Sequence, residues 1–354
     1  MRVSMRALIV IAAGISAGLS GVIAGSAHAA ASVPHPVVRP ASTGYSAVGA
    51  LDGVAAATNS NAWAVGYTGS KILMLHWNGK AWSRVTSPGV LIAGGQLKSI
   101  AVVNAKDAWA VGSAGTKSLL LHWNGKAWSQ LTHPAPVVGS FNSVAATASG
   151  GWVVGDASAG HDLPPKSLIL RLSGATATRV SLANDPPLTL TGAAITGKSA
   201  AWVIGATEQQ FVFGRWNGHT WSWKPILAKQ DLYILNGIAA GPGGTAFTVG
   251  HVDPDGGRGV PVALKLTGST WKKVSVPSDV NLGAVSFAPG GTAWAGGSLM
   301  LRWNGTAWKP VSAPSLKLAD GIDGLGFSAA NYGWAVGSAS TRTLILHWNG
   351  STWK

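Results

Sequence analysis

The chain has 354 residues, of which 48 are Gly, 18 are Pro, 18 are Trp and none is Cys. The 26 Lys and Arg residues outnumber the 12 Asp and Glu residues, so the formal net charge is +14, and Glu208 is the only glutamate. This composition excludes an acidic disordered chain, a coiled coil and a scaffold built on disulfides or thiolate ligands. By length alone, two domains would be the ordinary expectation.

The first 29 residues have the features of an export signal. Arg2 and Arg6 precede an apolar and small-residue run over 7–25, and Ala27-His28-Ala29 matches a small-x-small cleavage site. We therefore predict a signal peptide over 1–29 and a secreted, extracellular mature protein. A retained membrane anchor is the alternative. Loss of Arg2 and Arg6 lowers the net charge to +12, and no later stretch is long and apolar enough to span a bilayer.

A short motif recurs seven times between residue 43 and the end of the chain. Its clearest copy is Asn61-Ala-Trp-Ala-Val-Gly66, and copies follow one another at intervals of 40 to 50 residues. The aromatic residues of the seven copies are Trp63, Trp109, Trp152, Trp202, Phe247, Trp294 and Trp334. A second signature follows each copy, as in Leu73-Met-Leu-His-Trp-Asn-Gly-Lys-Ala-Trp82. These positions hold 17 of the 18 Trp residues, and only Trp223 lies outside them.

Each repeat predicts four short antiparallel strands, and helical periodicity is absent. Repeats of this length with four strands are typical of a β-propeller. We therefore predict an all-β, seven-bladed β-propeller over residues 43–354, closed as one domain, because a single blade cannot bury both of its faces. Asn78-Gly79 predicts a two-residue hairpin turn. Such a turn would place Trp77 opposite Lys80 and His76 opposite Ala81.

The two ends of the chain suggest how the ring closes. The last repeat stops at Lys354, whereas the preceding repeat continues as Trp308-Lys-Pro-Val-Ser-Ala-Pro314. A similar Val-x-x-Pro piece occurs in Pro36-Val-Val-Arg-Pro40, within the N-terminal segment 30–42. We predict that residues 33–42 pair with the last blade; a disordered tail is the alternative.

A basic residue precedes the second repeat Trp, or its equivalent, in all seven blades. These residues are His76, His122, Arg171, Arg215, Lys265, Arg302 and His347. We favour a structural role, in which each long side chain lies over a small cross-strand residue and stacks on a Trp of an adjacent blade. A cationic ring that binds an anionic polymer is the alternative. The three histidines belong to blades one, two and seven, too far apart for one zinc site, and we predict neither a metal nor a cofactor.

Two longer loops carry the candidate ligand-binding residues. Rigid scaffolds commonly bind ligands through such variable loops. The candidates are Asp156, His161 and Asp162 in blade three, and His251, Asp253, Asp255 and Arg258 in blade five. Asp253-Pro-Asp255-Gly256 resembles the start of a calcium loop, but the later ligands and the terminal glutamate are missing. We therefore favour an ordinary polar turn there.

The repeats resemble those of secreted bacterial propellers with Trp-x-Val-Gly and Trp-Asn-Gly-x-x-Trp signatures, which are grouped with kelch-like and Asp-box proteins. Asn78-Gly79-Lys80-Ala81-Trp82 is similar to the tail of an Asp box, with Asn in place of the Asp, and also to the Trp-x-Gly-x-x-Trp turns of seven-bladed propeller lectins. This resemblance implies an architecture and not a chemistry. A sialidase would need a Tyr nucleophile with a partner Glu, and a galactose-oxidase centre would need a Cys.

These observations predict a binding protein and not an enzyme. Our first hypothesis is a secreted, non-catalytic propeller that recognises extracellular or cell-wall glycans, because the +12 charge suits an acidic glycan or an anionic wall polymer. A protein-interaction or structural propeller is the alternative. A polysaccharide lyase or glycosidase, which needs suitably placed carboxylates, comes third. Secretion makes nucleic acid an unsuitable physiological partner, and no membrane span is expected after cleavage.

Overall fold

The computed structural model describes residues 45–86, 92, 94–134, 138–157, 165–182, 187–207, 210–225, 232–253, 259–314 and 321–354. The predicted signal peptide, the segment 30–42, and His161, Asp162, Asp255 and Arg258 lie outside the described residues, and the side chain of Asp253 does too. No helix within the described ranges is long and apolar enough to cross a membrane.

The described chain forms seven antiparallel sheets. Blade one contains β1 Ala50–Thr58, β2 Asn61–Thr68, β3 Lys71–Trp77 and β4 Trp82–Arg84; blade two contains β5 Gly95–Asn104, β6 Asp107–Ala114, β7 Lys117–Trp123 and β8 Trp128–Gln130. Blade three contains β9 Gly139–Thr147, β10 Gly150–Ala157, β11 Lys166–Ser173 and β12 Thr176–Arg179; blade four contains β13 Thr189–Gly197, β14 Ala200–Ala206, β15 Phe211–Trp216 and β16 Trp221–Pro225. Blade five contains β17 Leu232–Ala240, β18 Ala246–Asp253, β19 Val260–Thr267 and β20 Thr270–Lys273; blade six contains β21 Leu282–Phe287, β22 Ala293–Gly297, β23 Met300–Trp303 and β24 Trp308–Val311. Blade seven contains β25 Gly321–Ala329, β26 Tyr332–Ala339 and β27 Arg342–Trp348.

The predicted fold class is confirmed. Each of the first six blades is a four-stranded antiparallel meander, and blade seven has three strands plus a single bridge between Trp348 and Trp353 at the place of the fourth. A short 3-10 turn at Pro242–Gly244 is the only helical element in the ranges given above. The first and third strands of every blade begin at the same end of the ring, which we call the loop face.

The hairpin between the third and fourth strands differs from the predicted two-residue turn. Trp77 pairs with Trp82 and His76 with Ser83, so the loop has four residues, 78–81. The Asn78 side-chain oxygen accepts hydrogen bonds from the backbone N–H groups of Lys80 and Ala81, at 2.9 and 3.0 Å. The prediction was wrong because this asparagine caps a longer loop, and Gly79 alone takes a positive φ, of 91°.

Every blade has a β-bulge in its first strand, and the bulge explains the glycine of the Trp-x-Val-Gly motif. In blade one the register shifts between Leu51 and Gly53, so Asp52 is left out of the ladder. A Cβ atom on Gly66 would overlap the carbonyl oxygen of Ala50 in that strand. The other motif glycines meet a carbonyl at the start of strand one in the same way: Gly112, Gly155, Gly205, Gly250, Gly297 and Gly337. The motif glycine therefore accommodates the backbone beside the bulge.

Aromatic side chains pack neighbouring blades together. Trp334 of blade seven lies 4.8 Å from Trp77 and 5.0 Å from Trp82 of blade one, measured between ring centroids. Trp63, Trp152, Phe247 and Trp294 each meet two Trp residues of the following blade in the same arrangement. These separations fall in the favoured range for aromatic pairs. The contacts of Trp334 thus join the last blade to the first.

Residues just before β1 also contact the last blade. The N–H of Thr343 donates to the carbonyl of Ala47 at 2.9 Å, and the N–H of Gly49 donates to the carbonyl of Thr341 at 2.9 Å. The Gly94 N–H bonds to the Ser70 carbonyl between blades one and two in the same way. The seam between blades seven and one therefore uses an ordinary inter-blade connection.

Candidate functional site

The seven bulge residues line one central cavity. They are Asp52, Lys98, Asn142, Thr191, Asn236, Gly283 and Asp323, one from the first strand of each blade. A bulge re-aims the side chain of the extra residue and removes it from the ladder. Because each bulge lies near the start of its strand, this ring of bulge residues lies towards the loop face.

The cavity is small and its wall is polar at the ring of bulge residues. Its volume is about 290 Å³, at the lower end of the roughly 300–1,000 Å³ that pockets for drug-sized ligands occupy. Ser99 and Ser143 also line it, and their hydroxyl groups accept backbone hydrogen bonds from Val144 and Ala193 of the next blade, both at 3.2 Å. The cavity therefore admits a single small polar unit between rigid strands.

Two carboxyl groups lie on adjacent blades at this cavity. Desolvation by burial raises the pKa of Asp52 to about 7, and the charge of Asp323 adds to the rise; a 2.8 Å hydrogen bond from Gln96 and the charge of Lys98 oppose it. Asp323 is open to the cavity on one side, but the surrounding protein still raises the pKa of its carboxyl to about 6 by desolvation. Among the described residues Asp323 receives no hydrogen bond, so its oxygens face the cavity free to accept one.

A hydrogen-bonded chain occupies the next part of the ring. Lys98 Nζ donates to the side-chain oxygen of Asn142 at 2.8 Å, and the Asn142 side-chain nitrogen donates to Asp156 at 2.8 Å and to the Leu190 carbonyl at 2.9 Å. Burial lowers the pKa of Lys98, while the charges of Asp156 and Asp52 raise it. This chain fixes the side chain of Asn142 and ties Asp156 to the cavity wall.

Blades four, five and six contribute only neutral groups to the ring. Thr191 donates to the carbonyl of Leu235 at 3.3 Å, and the Asn236 side-chain nitrogen donates to the carbonyl of Leu282 at 2.7 Å. The side-chain oxygen of Asn236 accepts no hydrogen bond from the residues the structure describes. The charged groups of the ring therefore belong to blades seven, one and two, and Asn236 offers an acceptor on the other side.

The predicted ligand-binding residues that the structure describes do not lie together at one site. Asp156 lies on β10 and reaches the cavity through Asn142. His251 lies half-buried on β18, between Ile234 and Pro261 of the neighbouring strands, and it is not among the residues that line the cavity. Asp253 is the last residue of β18. Among the candidates that the structure describes, Asp156 is thus connected to the cavity wall through Asn142.

Each residue of the basic ring lies on the strand-two aromatic residue of its own blade, whereas the prediction placed it on a Trp of an adjacent blade. His76, His122 and His347 lie 4.1, 4.3 and 4.6 Å from the rings of Trp63, Trp109 and Trp334, centroid to centroid. The cationic groups of Arg171, Arg215, Lys265 and Arg302 lie 4.5, 5.7, 5.9 and 5.6 Å from Trp152, Trp202, Phe247 and Trp294. Lys265 alone also approaches a ring of the next blade, Trp303, at 5.3 Å.

The particular cross-strand partners predicted for the basic ring were wrong, but in four blades the partner is still small: Ser83, Ser129, Thr178 and Ser222. In blades five and six the small partner is absent, because Lys265 and Arg302 face Lys272 and Lys309. The four-residue hairpin loop shifts the register by two residues relative to the predicted turn. Burial lowers the pKa of His76, and burial together with the charge of Lys354 lowers that of His347.

Sequence reasoning missed the ring of bulge residues, although a signal for it exists. Each bulge residue stands ten or eleven positions before the strand-two aromatic residue. It follows a large apolar residue and precedes a small one, as in Leu51-Asp52-Gly53, Leu97-Lys98-Ser99 and Ile322-Asp323-Gly324. The pattern looks like an ordinary alternating strand, because the sequence does not reveal which residue is extruded from the ladder.

Comparisons with known proteins agree on the fold. No protein-family model and no curated protein matches the chain. Among solved structures, a catalytically inactive virginiamycin B lyase from Staphylococcus aureus with quinupristin is 12% identical, with a TM-score of 0.62, over 84% of this chain and 94% of that one. YCF48 bound to D1 peptide is 14% identical, with a TM-score of 0.59, over 84% and 93%. The WD40 β-propeller domain of Doa1 is 12% identical, with a TM-score of 0.59, over 84% and 92%. At these identities the likeness defines the class, a β-propeller, and no particular activity.

Proposed function

We propose that the chain is a secreted, non-catalytic binding propeller that holds one unit of an extracellular or cell-wall glycan in the central cavity at the loop face. The observation that carries this proposal is the ring of bulge residues around a cavity of about 290 Å³. Seven strands fix the backbone positions of these residues, so a ligand would lose little binding free energy in ordering the wall.

A sugar unit suits the chemistry of this wall. Its hydroxyl groups both donate and accept hydrogen bonds, and the wall offers carboxylate oxygens at Asp52 and Asp323, an amide oxygen at Asn236 and an ammonium group at Lys98. Hydrogen bonds to ionised groups are stronger than neutral ones. Strand-two tryptophans such as Trp334, with no exposed surface, are used in packing and are not stacking platforms.

Three features of the described cavity favour binding over catalysis. Asp52 already accepts a hydrogen bond from Gln96, Lys98 is held by Asn142, and no histidine is among the residues that line the cavity. Because one of the similar structures is a lyase, an enzymatic function is the alternative that must be tested. Asp52 and Asp323 are the carboxyl pair to test, because they share one cavity and have raised pKa values.

The proposal is tested by a glycan array probed with the protein at low and at high salt, followed by calorimetry of the strongest hit. We expect a sugar that still binds at high salt, because the cavity contacts are short and shielded. Sugar binding that disappears entirely with salt would contradict a cavity site. Product release from a polysaccharide, abolished by Asp52→Asn or Asp323→Asn, would establish the enzymatic alternative.

A protein partner is the second candidate, and the same carboxyl pair favours it. A Lys or Arg side chain of a peptide would find two carboxylates on adjacent blades, and one similar structure is described as bound to a peptide. Such binding should strengthen as the pH rises through 6 to 7, because Asp323 and Asp52 ionise there. A Lys-containing peptide library, with the Lys-to-Gln peptides as controls, measures this directly.

A further inference from the structure

Four consecutive blades present a basic residue at one equivalent position. Arg342, Lys71, Lys117 and Lys166 are the first residues of the third strands of blades seven, one, two and three. Each pairs with the residue five positions after the strand-two aromatic residue of its blade. All four are exposed. We call them the basic arc.

The remaining blades do not continue this pattern. The equivalent residue is Gln210 in blade four and Val260 in blade five, and blade six has a shorter turn before β23. Among the described residues at this strand position, the basic charge is therefore confined to one side of the loop face. The same side carries the charged groups of the cavity ring, at Asp323, Asp52 and Lys98.

No carboxylate in the described part of the chain neutralises the basic arc. The ion pair found there joins His122 and Asp107, at 3.1 Å, and involves none of the four residues. Arg342 donates to the Ser46 hydroxyl at 2.8 Å and to the Ser46 carbonyl at 3.4 Å, so its charge is held in place by neutral acceptors.

We propose that the basic arc binds a linear anionic polymer whose phosphate or carboxylate groups run across blades seven, one, two and three on the loop face. Charge complementarity supports this inference. Four exposed cations, which no described carboxylate neutralises, follow one another at one position per blade, on a chain whose net charge is +12 without Arg2 and Arg6. The cations act at the surface, so the attraction is salt-dependent. The site is separate from the central cavity and does not depend on which sugar or peptide the cavity holds.

The test uses linear inorganic polyphosphate as the probe. The protein is the predicted mature chain, residues 30–354. In the arc variant, Lys71, Lys117 and Lys166 become Gln and Arg342 becomes Gln. In the control variant, Lys80, Lys106, Lys126 and Lys198, which are exposed at the opposite end of the ring, become Gln. Both variants lose four positive charges, so they differ only in where the charge is removed.

We expect each arc charge to contribute about five-fold to the affinity at low salt, so the arc variant, which lacks four charges, should bind about 600-fold more weakly. The logarithm of the affinity should fall with the logarithm of salt concentration with a slope near −3 for the parent protein, at about 0.7 per neutralised phosphate of a flexible chain. The control variant should stay within about three-fold of the parent.

Equal losses in the two variants would show that only net charge matters and would overturn the proposal, as would absence of binding by the parent protein. Circular dichroism and the melting temperature establish that both variants are folded. Asn236→Ala, which changes the cavity, should leave polyphosphate binding unchanged. A failure of the arc is therefore distinguishable from a failure of the cavity site.

Discussion

At the scale of single residues, the most unusual groups are the carboxyls extruded by β-bulges. Asp52 and Asp323 interrupt their strands and face a narrow cavity, and the pKa values of about 7 and about 6 follow from the loss of solvent there. Such groups reduce the stability of the fold when they ionise. Their presence in a rigid ring is better explained by ligand binding than by folding.

Burial of the Asp52 carboxyl should make the stability of the fold depend on pH. Because its folded-state pKa is above the unfolded value, the folded protein binds more protons between about pH 4 and 7, and the Asp52 contribution to the free energy of unfolding falls as the pH rises. Asp52→Asn should therefore gain stability relative to the parent across this window, by on the order of 2 kcal/mol at pH 7.5 after allowance for screening by cavity water. Urea unfolding at several pH values measures the difference.

Comparison of the variant with the parent separates the Asp52 contribution to the free energy of unfolding from the contributions of His76, His133 and His347. Burial lowers the pKa values of these histidines, so they act in the opposite direction and lose stability as the pH falls. A difference between Asp52→Asn and the parent that is constant from pH 4 to 7.5 would contradict the burial of this carboxyl.

At the scale of strands and turns, the repeat glycine and the bulge form one structural device. Gly66 has no room for a Cβ atom, because the carbonyl of Ala50 lies against it. The bulge that creates this contact also aims Asp52 at the cavity. Gly66 looks like a simple strand end in the sequence, but it packs against the bulge that places Asp52 in the wall of the candidate site.

We predict that Gly66→Ala destabilises the protein by about 2–4 kcal/mol, because backbone atoms must move. Gly197→Ala is the matched control: its Cβ would meet only the Ala200 Cβ, at 3.8 Å, and it should change stability by less than about 1 kcal/mol. Thermal and urea unfolding measure both variants. Similar stabilities for the two would show that the bulge relaxes freely.

Periodicity was sufficient to predict the blades but not the site. The seven aromatic residues at intervals of 40 to 50 determine blade number and strand order, because they repeat in chain order. The hairpin register was mispredicted, since Asn78 caps a four-residue loop. The ring of bulge residues was missed because a bulge depends on the pairing of two strands. In the sequence Asp52 looks like part of a regular strand, and only pairing with the neighbouring strand shows that it is left out of the ladder. Asp156 was predicted as a loop residue and instead lies on β10, tied to the cavity by Asn142.

At the scale of the whole molecule, the last blade is the exception in the ring. In blades one, two, three and five a fourth-strand N–H bonds to a third-strand carbonyl, as from Val85 to Met74 at 2.9 Å. No such bond reaches the equivalent Ile345 from the part of the chain described, and Ile345 is only partly buried where Met74 is fully buried. Within the described residues, Trp334 and residues 45–49 join blade seven to blade one.

The predicted closing segment 33–42 remains a prediction and can be tested by truncation. A chain that begins at Thr43 should melt several degrees lower than one that begins at Ala30, because Val37 or Val38 can no longer supply the fourth-strand contact to Ile345. Hydrogen exchange should increase at Ile345 while Met74, on a complete blade, is unchanged. Equal melting temperatures and equal exchange would favour a tail that does not contribute to the fold.

Binding of the ligand by the ring of bulge residues can be measured in solution. The best array sugar is titrated calorimetrically into the parent protein, Asp323→Asn, Asn236→Ala and the arc variant. Asp323→Asn replaces a charged acceptor with a neutral amide, and Asn236→Ala removes a neutral acceptor. A hydrogen bond contributes about 1.5–3 kcal/mol with a charged group and about 0.5–1.5 kcal/mol with a neutral one. Affinity should therefore fall about ten-fold for Asp323→Asn and several-fold for Asn236→Ala. The arc variant should bind a neutral sugar as the parent does. Unchanged affinity in both cavity variants would show that the sugar does not bind at the ring of bulge residues.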